Sequence, residues 1–114
     1  EKIVHGVQPI AFDNAVWAYT LGAGIAVKVM DSSLICAPSM VKALEIAAER
    51  AGAKHQREVL TGGATDVGAI HTTRAGVPSG TLSIPCRYVH APCETVDLND
   101  MEGAVRLLEE MLRG

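Results

Sequence analysis

Ile25-Ala26-Val27-Lys28-Val29-Met30 is the stretch on which the fold turns. Apart from Lys28 it is apolar throughout, and it is bounded by Gly24 on one side and Asp31-Ser32-Ser33 on the other. A short apolar run between turn signals reads as a strand buried on both faces, as central strands of layered α/β sheets are. Downstream, Pro38 to Ala51 reads as a helix. Met40, Leu44, Ala47 and Ala51 form one apolar stripe, Ile46 and Ala48 widen it, Pro38 suits the first turn and Gly52 the stop. His55 to Leu60 is a second, more polar strand, expected near an edge. Thr61-Gly62-Gly63-Ala64 follows as a tight loop, with Thr65 or Asp66 capping a helix that runs to about Ala75 and stops at Gly76. Thr81 to Ile84 is a third strand.

Asn99 and Asp100, with Glu102 close behind, make a capping-box-like start to a last helix. Its expected buried stripe is Met101, Val105, Leu108 and Leu112. Upstream of the central strand, Ile3-Val4 and Ile10-Ala11-Phe12 read as short strands and Asp13-Asn14 as a turn, while Val16 to Tyr19 fits a strand or a short helix. Strands alternating with helices predict α/β layering around a largely parallel or mixed sheet. Ligands of such sheets sit at strand ends. The loops after Leu60 and Ile84 are therefore the places to look, and neighbouring strands would bring them together.

The chain has 114 residues, enough for one domain, 1–114, and its hydrophobic content of 48% supplies a core. The net charge of -3 comes without a basic block, which argues against nucleic acid as a partner. No apolar run approaches ~18 residues, so no membrane span is expected. No basic region followed by a long apolar core opens the chain, so no signal peptide is expected. Three cysteines, Cys36, Cys86 and Cys93, do not make a disulfide framework and suit a reducing compartment such as the cytoplasm.

Chemistry concentrates in Pro85-Cys86-Arg87-Tyr88-Val89-His90-Ala91-Pro92-Cys93-Glu94. Its prolines forbid an uninterrupted helix, so an irregular loop carries a cation, an imidazole, two thiols and a carboxylate. His90 reads as a metal ligand or as a hydrogen-bonded loop histidine. Cys86, His90 and Cys93, with Cys36, could form a structural zinc site, although no Cys-x-x-Cys pair exists; buried thiols acting as small hydrophobes are the alternative. Arg87 offers a planar fork for a carboxylate or phosphate, or else a salt bridge with Glu94 or Asp66. Gly62 to Asp66 could present backbone N–H groups to an anion or a carbonyl, or be a plain strand-to-helix turn. His71 falls off the helix face of Asp66, and His5 and His55 read as surface residues.

Four segments resemble one family with matching spacing: residues 22–33, 62–71 (Gly-Gly-Ala-Thr-Asp-Val-Gly-Ala-Ile-His), 76–80 and 83–92 (Ser-Ile-Pro-Cys-Arg-Tyr-Val-His-Ala-Pro). The resemblance, over about residues 22–112, is to the glutamyl aminopeptidase and tetrahedral aminopeptidase group, peptidase family M forty-two. It implies a partial α/β/α sandwich, the C-terminal part of a zinc-peptidase catalytic domain. It also implies removal of N-terminal residues from peptides by a two-metal site, zinc or cobalt, whose ions activate a water and polarise the scissile carbonyl. By the same resemblance His90 is the family's last metal ligand, and Gly62, Gly63, Thr65, Asp66 and Arg87 are substrate-binding positions.

Family members are about three times as long. The remaining ligands and the Glu general base have no match here, and Asp13 matches the last aspartate poorly. The resemblance therefore implies an incomplete site with no catalytic residue of its own, a peptide substrate, and a homo-oligomer or a complex with a missing N-terminal half. A catalytically inactive remnant or assembly subunit, and a small structural-zinc protein, are the alternative readings.

Overall fold

The computed structural model describes residues 2–3, 19–60 and 63–114. The expected strand at Ile10–Phe12, the turn at Asp13-Asn14, and His5 lie outside the described residues, as do Val4, Val16 to Ala18, Thr61 and Gly62. In chain order the elements are β1 (Lys2–Ile3), β2 (Tyr19–Thr20), β3 (Ile25–Met30), α1 (Pro38–Arg50), β4 (His55–Val59), α2 (Val67–Ile70), β5 (Leu82–Ser83), β6 (Cys86–Arg87), β7 (Thr95–Val96) and α3 (Leu98–Arg113). The main sheet has the order β4-β3-β5, with β4 parallel and β5 antiparallel to β3. The sheet is mixed, β3 is central, and the polar β4 lies at a margin. The class is α/β.

The pleat of β3 sorts its side chains by face. Ile25 and Val27 join Val41, Leu44, Ala47 and Ala48 of α1 and Ala104 and Leu107 of α3 in the main core. Ala26 packs instead with Tyr19 and Leu60. Both long helices thus cover one face of the sheet. The opposite face carries Ala26 and Lys28, and there the candidate site forms.

The helices differ from expectation in instructive ways. In α1 the buried residues are Val41, Leu44, Ala47 and Ala48, while Met40 is half-buried and Ile46 exposed. This helix packs against both β3 and α3. Its small residues therefore meet the close neighbour, and the stripe turns by one position. In α3 the N-cap is Asp97, whose side chain accepts a hydrogen bond from the Asn99 N–H at 2.8 Å. The expected stripe faces outward: Met101 is 38% exposed, Val105 66%, Leu108 49% and Leu112 88%. Asp100 explains the rotation. Its carboxylate accepts from the N–H groups of Gly22 and Gly24, both at 2.9 Å, in the turn before β3. With Asp100 held inward, Gly103, Ala104 and Leu107 follow it on the same helix face.

The expected helix from Thr65 to Ala75 is only the single turn α2. Thr65 donates its hydroxyl to Asp31 Oδ2 at 3.1 Å rather than capping, and no side chain caps α2. Beyond α2 the hydroxyls of Thr72 and Thr73 bond back to the Ala69 carbonyl. Arg74 adopts a left-handed φ of 54°. Ile70 is exposed, so no apolar stripe exists to carry a longer helix. Among the described residues, no helix is long and apolar enough to cross a membrane.

Candidate functional site

Lys28 is the one charge in a strand otherwise built for the core, and burial obliges it to find partners. Its Nζ lies 3.2 Å from Asp31 Oδ2 and 3.9 Å from Glu58 Oε2, and all three side chains are shut off from solvent. Asp31 also accepts from the Ser33 N–H and hydroxyl, the Leu34 N–H and the Thr65 hydroxyl. Burial alone would raise its pKa. The donors from Ser33, Lys28 and Thr65 outweigh burial and hold the carboxyl at about 2. Glu58 goes the other way: burial pushes its pKa up, opposed by the Ser83 hydroxyl, which donates to Oε2 at 2.5 Å, and by Lys28.

This network anchors the loop after β4. Ser32 gives its N–H to the Gly63 carbonyl at 2.8 Å and its hydroxyl to the same oxygen at 2.6 Å. A Cβ on Gly63 would fall 2.5 Å from Leu60 Cδ2, so a larger residue there would have to push that buried side chain aside. Together, Thr65 on Asp31 and Gly63 on Ser32 fix the loop to the end of β3.

The second loop is a hairpin. Cys86 pairs with Val96 and Arg87 with Thr95, so residues 88–94 form its tip. Tyr88 and His90 both adopt left-handed φ angles, 57° and 63°. Each such conformation costs an L-residue about 1–2 kcal/mol, so the tip must be held. Ala91 N–H bonds to the Tyr88 carbonyl at 3.0 Å, and His90 N–H donates to Glu94 Oε1 at 2.6 Å.

The two loops meet across a cavity of about 420 Å³. Its lining includes Lys28 and Glu58 from the sheet, Gly63 to Thr65 from one loop, Ser83 beside them, and Cys86 and His90 from the hairpin. The strands that lead to the loops are not neighbours, because β4 and β5 flank β3 on opposite sides. The cavity spans the face of β3 instead. Tyr19, also in the lining, is pushed to about 12 by burial, with Cys86 and Glu58 adding to the effect. Burial likewise raises the Cys86 thiol, and the negative charge of Glu94 adds to it.

Of the residues singled out from sequence, Gly63, Thr65 and His90 share this cavity. Arg87 does not line it and stands half-buried in β6. Asp66 is exposed at the start of α2, where its carbonyl accepts the first helical bonds. Gly62 lies outside the described residues. Sequence reasoning missed Lys28, Glu58 and Ser83. The available signal was Lys28 itself, a charge inside a strand read as buried on both faces.

Among the described residues, no three His, Cys, Asp or Glu side chains converge in a way that could hold a metal ion. Cys36 is buried, Cys86 half-buried and Cys93 exposed, and all three are free. They do not gather with His90 into a structural zinc site. His90, exposed at the cavity mouth, has the chemistry of a metal ligand. The described residues fit one ligand's share of a metal site and not a complete set of ligands.

Comparison with known proteins locates the chain. The sequence model described as M42 glutamyl aminopeptidase matches residues 4–107. A candidate aminopeptidase of Acetivibrio thermocellus is 48% identical over 91 residues, which are 80% of this chain and 28% of that protein. The glutamyl aminopeptidase of Lactococcus lactis is 33% identical over 92 residues, 81% of this chain and 26% of that protein. Among solved structures, an aminopeptidase from Desulfurococcus kamchatkensis superposes with a TM-score of 0.79 at 35% identity, over 97% of this chain and 31% of that one. The Pyrococcus horikoshii TET1 peptidase, which can assemble into a tetrahedron or a large octahedral shell, gives 0.72 at 32% identity, over 82% of this chain and 27% of that one. The chain thus spans between a quarter and a third of the length of these relatives.

Proposed function

This chain belongs to the M42 glutamyl aminopeptidase family, and from that premise we propose that it is part of a metal-dependent aminopeptidase acting on the N-termini of peptides. One observation carries the reading: the hairpin tip brings His90 to the cavity that the Gly63–Thr65 loop also lines. In this reading, 1–114 is the C-terminal part of a catalytic domain. His90 holds one ion of a two-metal zinc or cobalt site, and the other ligands and the general base come from elsewhere. A metal pair supplies a water activated at neutral pH and a polarised carbonyl. Gly63, Thr65 and, outside the described residues, Gly62 position the peptide, while Asp66 and Arg87 contribute from outside the cavity. Three free thiols agree with a reducing compartment, the cytoplasm.

A second reading, a non-catalytic assembly subunit, is favoured by the exposed apolar stripe of α3. Apolar stripes of this kind are covered by partners. In both readings the chain associates, as a homo-oligomer or with a further part of the catalytic domain.

Purified chain supplied with Zn²⁺ or Co²⁺ and aminoacyl-p-nitroanilides distinguishes a partial site from a complete one. The partial-site reading expects no turnover and less than one tightly held ion per chain. Turnover that survives repurification and vanishes in His90→Ala would overturn it.

A further inference from the structure

The left-handed backbone at His90 requires an explanation, because even for histidine, which visits that region more than most side chains do, it costs free energy. His90 has φ 63°, and Tyr88, two positions earlier, carries the same conformation at 57°. The tip also holds Pro92, two residues after His90, which offers no N–H to stabilise a turn. Beside the Ala91 N–H bond to the Tyr88 carbonyl, Glu94 closes it. This residue directly precedes Thr95, whose backbone is fixed by its pairing with Arg87. From that fixed point its side chain reaches back across the tip and takes the His90 N–H at 2.6 Å. The bond is short, and its acceptor is a carboxylate, so it belongs to the stronger, charge-assisted class.

We propose that Glu94 is the positioning residue of the hairpin tip: its carboxylate fixes the His90 peptide so that the imidazole stands at the cavity mouth before any ligand arrives. The proposal rests on the reading of His90 as a metal ligand. Its geometry stands apart from that reading, because the contact is to the His90 backbone N–H. Pre-setting the backbone removes the ordering of the loop from the cost of binding. Glutamine keeps an acceptor oxygen at the same reach, whereas alanine removes it.

The test uses the intact chain and the variants Glu94→Ala and Glu94→Gln. Amide hydrogen exchange at His90, followed by NMR, is expected to be at least 10-fold faster in Glu94→Ala and within about 3-fold of the parent in Glu94→Gln. Amides of β3 and α1, such as Val27 and Leu44, report that the fold is intact. Equal His90 exchange in the parent and Glu94→Ala would overturn the proposal. In a second arm, Zn²⁺ alone is titrated while the His90 imidazole resonances are followed. The expectation is a saturable shift that weakens about 10-fold in Glu94→Ala and returns in Glu94→Gln. Faster His90 exchange in Glu94→Ala with no Zn²⁺ response in any form would leave Glu94 as the brace of the tip and overturn the metal-ligand reading of His90 alone. A Zn²⁺ response that is identical in the parent and Glu94→Ala would overturn the claim that the brace presents the imidazole.

Discussion

Lys28 Nζ stands 3.2 Å from Asp31 Oδ2 with both side chains closed off from solvent, and this pair joins the central strand to the loop that lines the cavity. Removing one partner of a buried pair leaves an uncompensated charge. Asp31→Ala is therefore expected to cost about 3–5 kcal/mol in chemical denaturation. It also frees Thr65 and the Ser33 turn, so the Gly63–Thr65 loop should exchange faster than β4. A loss below about 1 kcal/mol would place the pair outside the fold's essential contacts.

The pH dependence has a sign that can be checked. Asp31 titrates at about 2 in the fold against an ordinary 3.8. A lowered carboxyl stabilises the fold above its unfolded value and loses that contribution as the pH falls through the folded one. The contribution is about 2 kcal/mol, present above pH ~4 and lost towards pH ~2. Glu58, raised by burial, acts in the opposite sense: it opposes folding as the pH rises through its folded value. Stability curves of Asp31→Asn should lack the acid-side loss, and those of Glu58→Gln should compare best with the parent at higher pH. An acid arm unchanged by Asp31→Asn would assign the loss to other groups.

Gly24 has φ 105°, and a Cβ there would fall 2.3 Å from the Lys54 carbonyl carbon and oxygen. Backbone cannot yield as a flexible side chain can. Gly24→Ala should therefore lower the melting temperature by more than 10 °C or prevent folding, whereas Gly52→Ala, with φ 63° but open space, should cost about 1–2 kcal/mol. Similar losses at the two positions would show that φ, and not the close approach, dominates.

The surface pair Arg57–Glu45 looks strong, with Nε–Oε1 at 2.6 Å and a second contact at 3.1 Å. Arg57 is 63% exposed, so solvent screens it. Glu45→Gln is expected to cost no more than about 1 kcal/mol, less in high salt. A larger, salt-independent loss would contradict this ranking of surface against buried charges.

The outward stripe of α3 makes association the expected state. Val105→Glu should shift the chain towards monomer by light scattering at micromolar concentration while leaving its circular dichroism unchanged. A parent chain that is already monomeric would remove the basis for an α3 interface.

Much of this was legible from residues alone, and the failures share a cause. The strand Ile25–Met30 and the position of α1 follow from local pattern, because an apolar run between turns and a proline-started helix depend on few distant partners. The face that α3 buries depends on Asp100 meeting Gly22 and Gly24, contacts that span 78 and 76 residues in sequence and leave no mark in the 3.6-residue period. The long helix expected after Thr65 fails for the same kind of reason, since Thr65 serves Asp31, 34 residues earlier in the chain. His90 stands out in the sequence by its motif, and it lines the cavity. Its setting among Lys28, Glu58 and Ser83 required the mixed sheet.

The most direct test replaces the matching segment of the Lactococcus lactis glutamyl aminopeptidase with this chain and assays Glu-p-nitroanilide hydrolysis with added metal. A folded, active chimera that loses at least ~10³-fold in kcat and one bound ion on His90→Ala is the result expected if His90 holds a metal of the aminopeptidase site. A folded chimera whose His90→Ala form keeps its metal and its turnover would contradict the account.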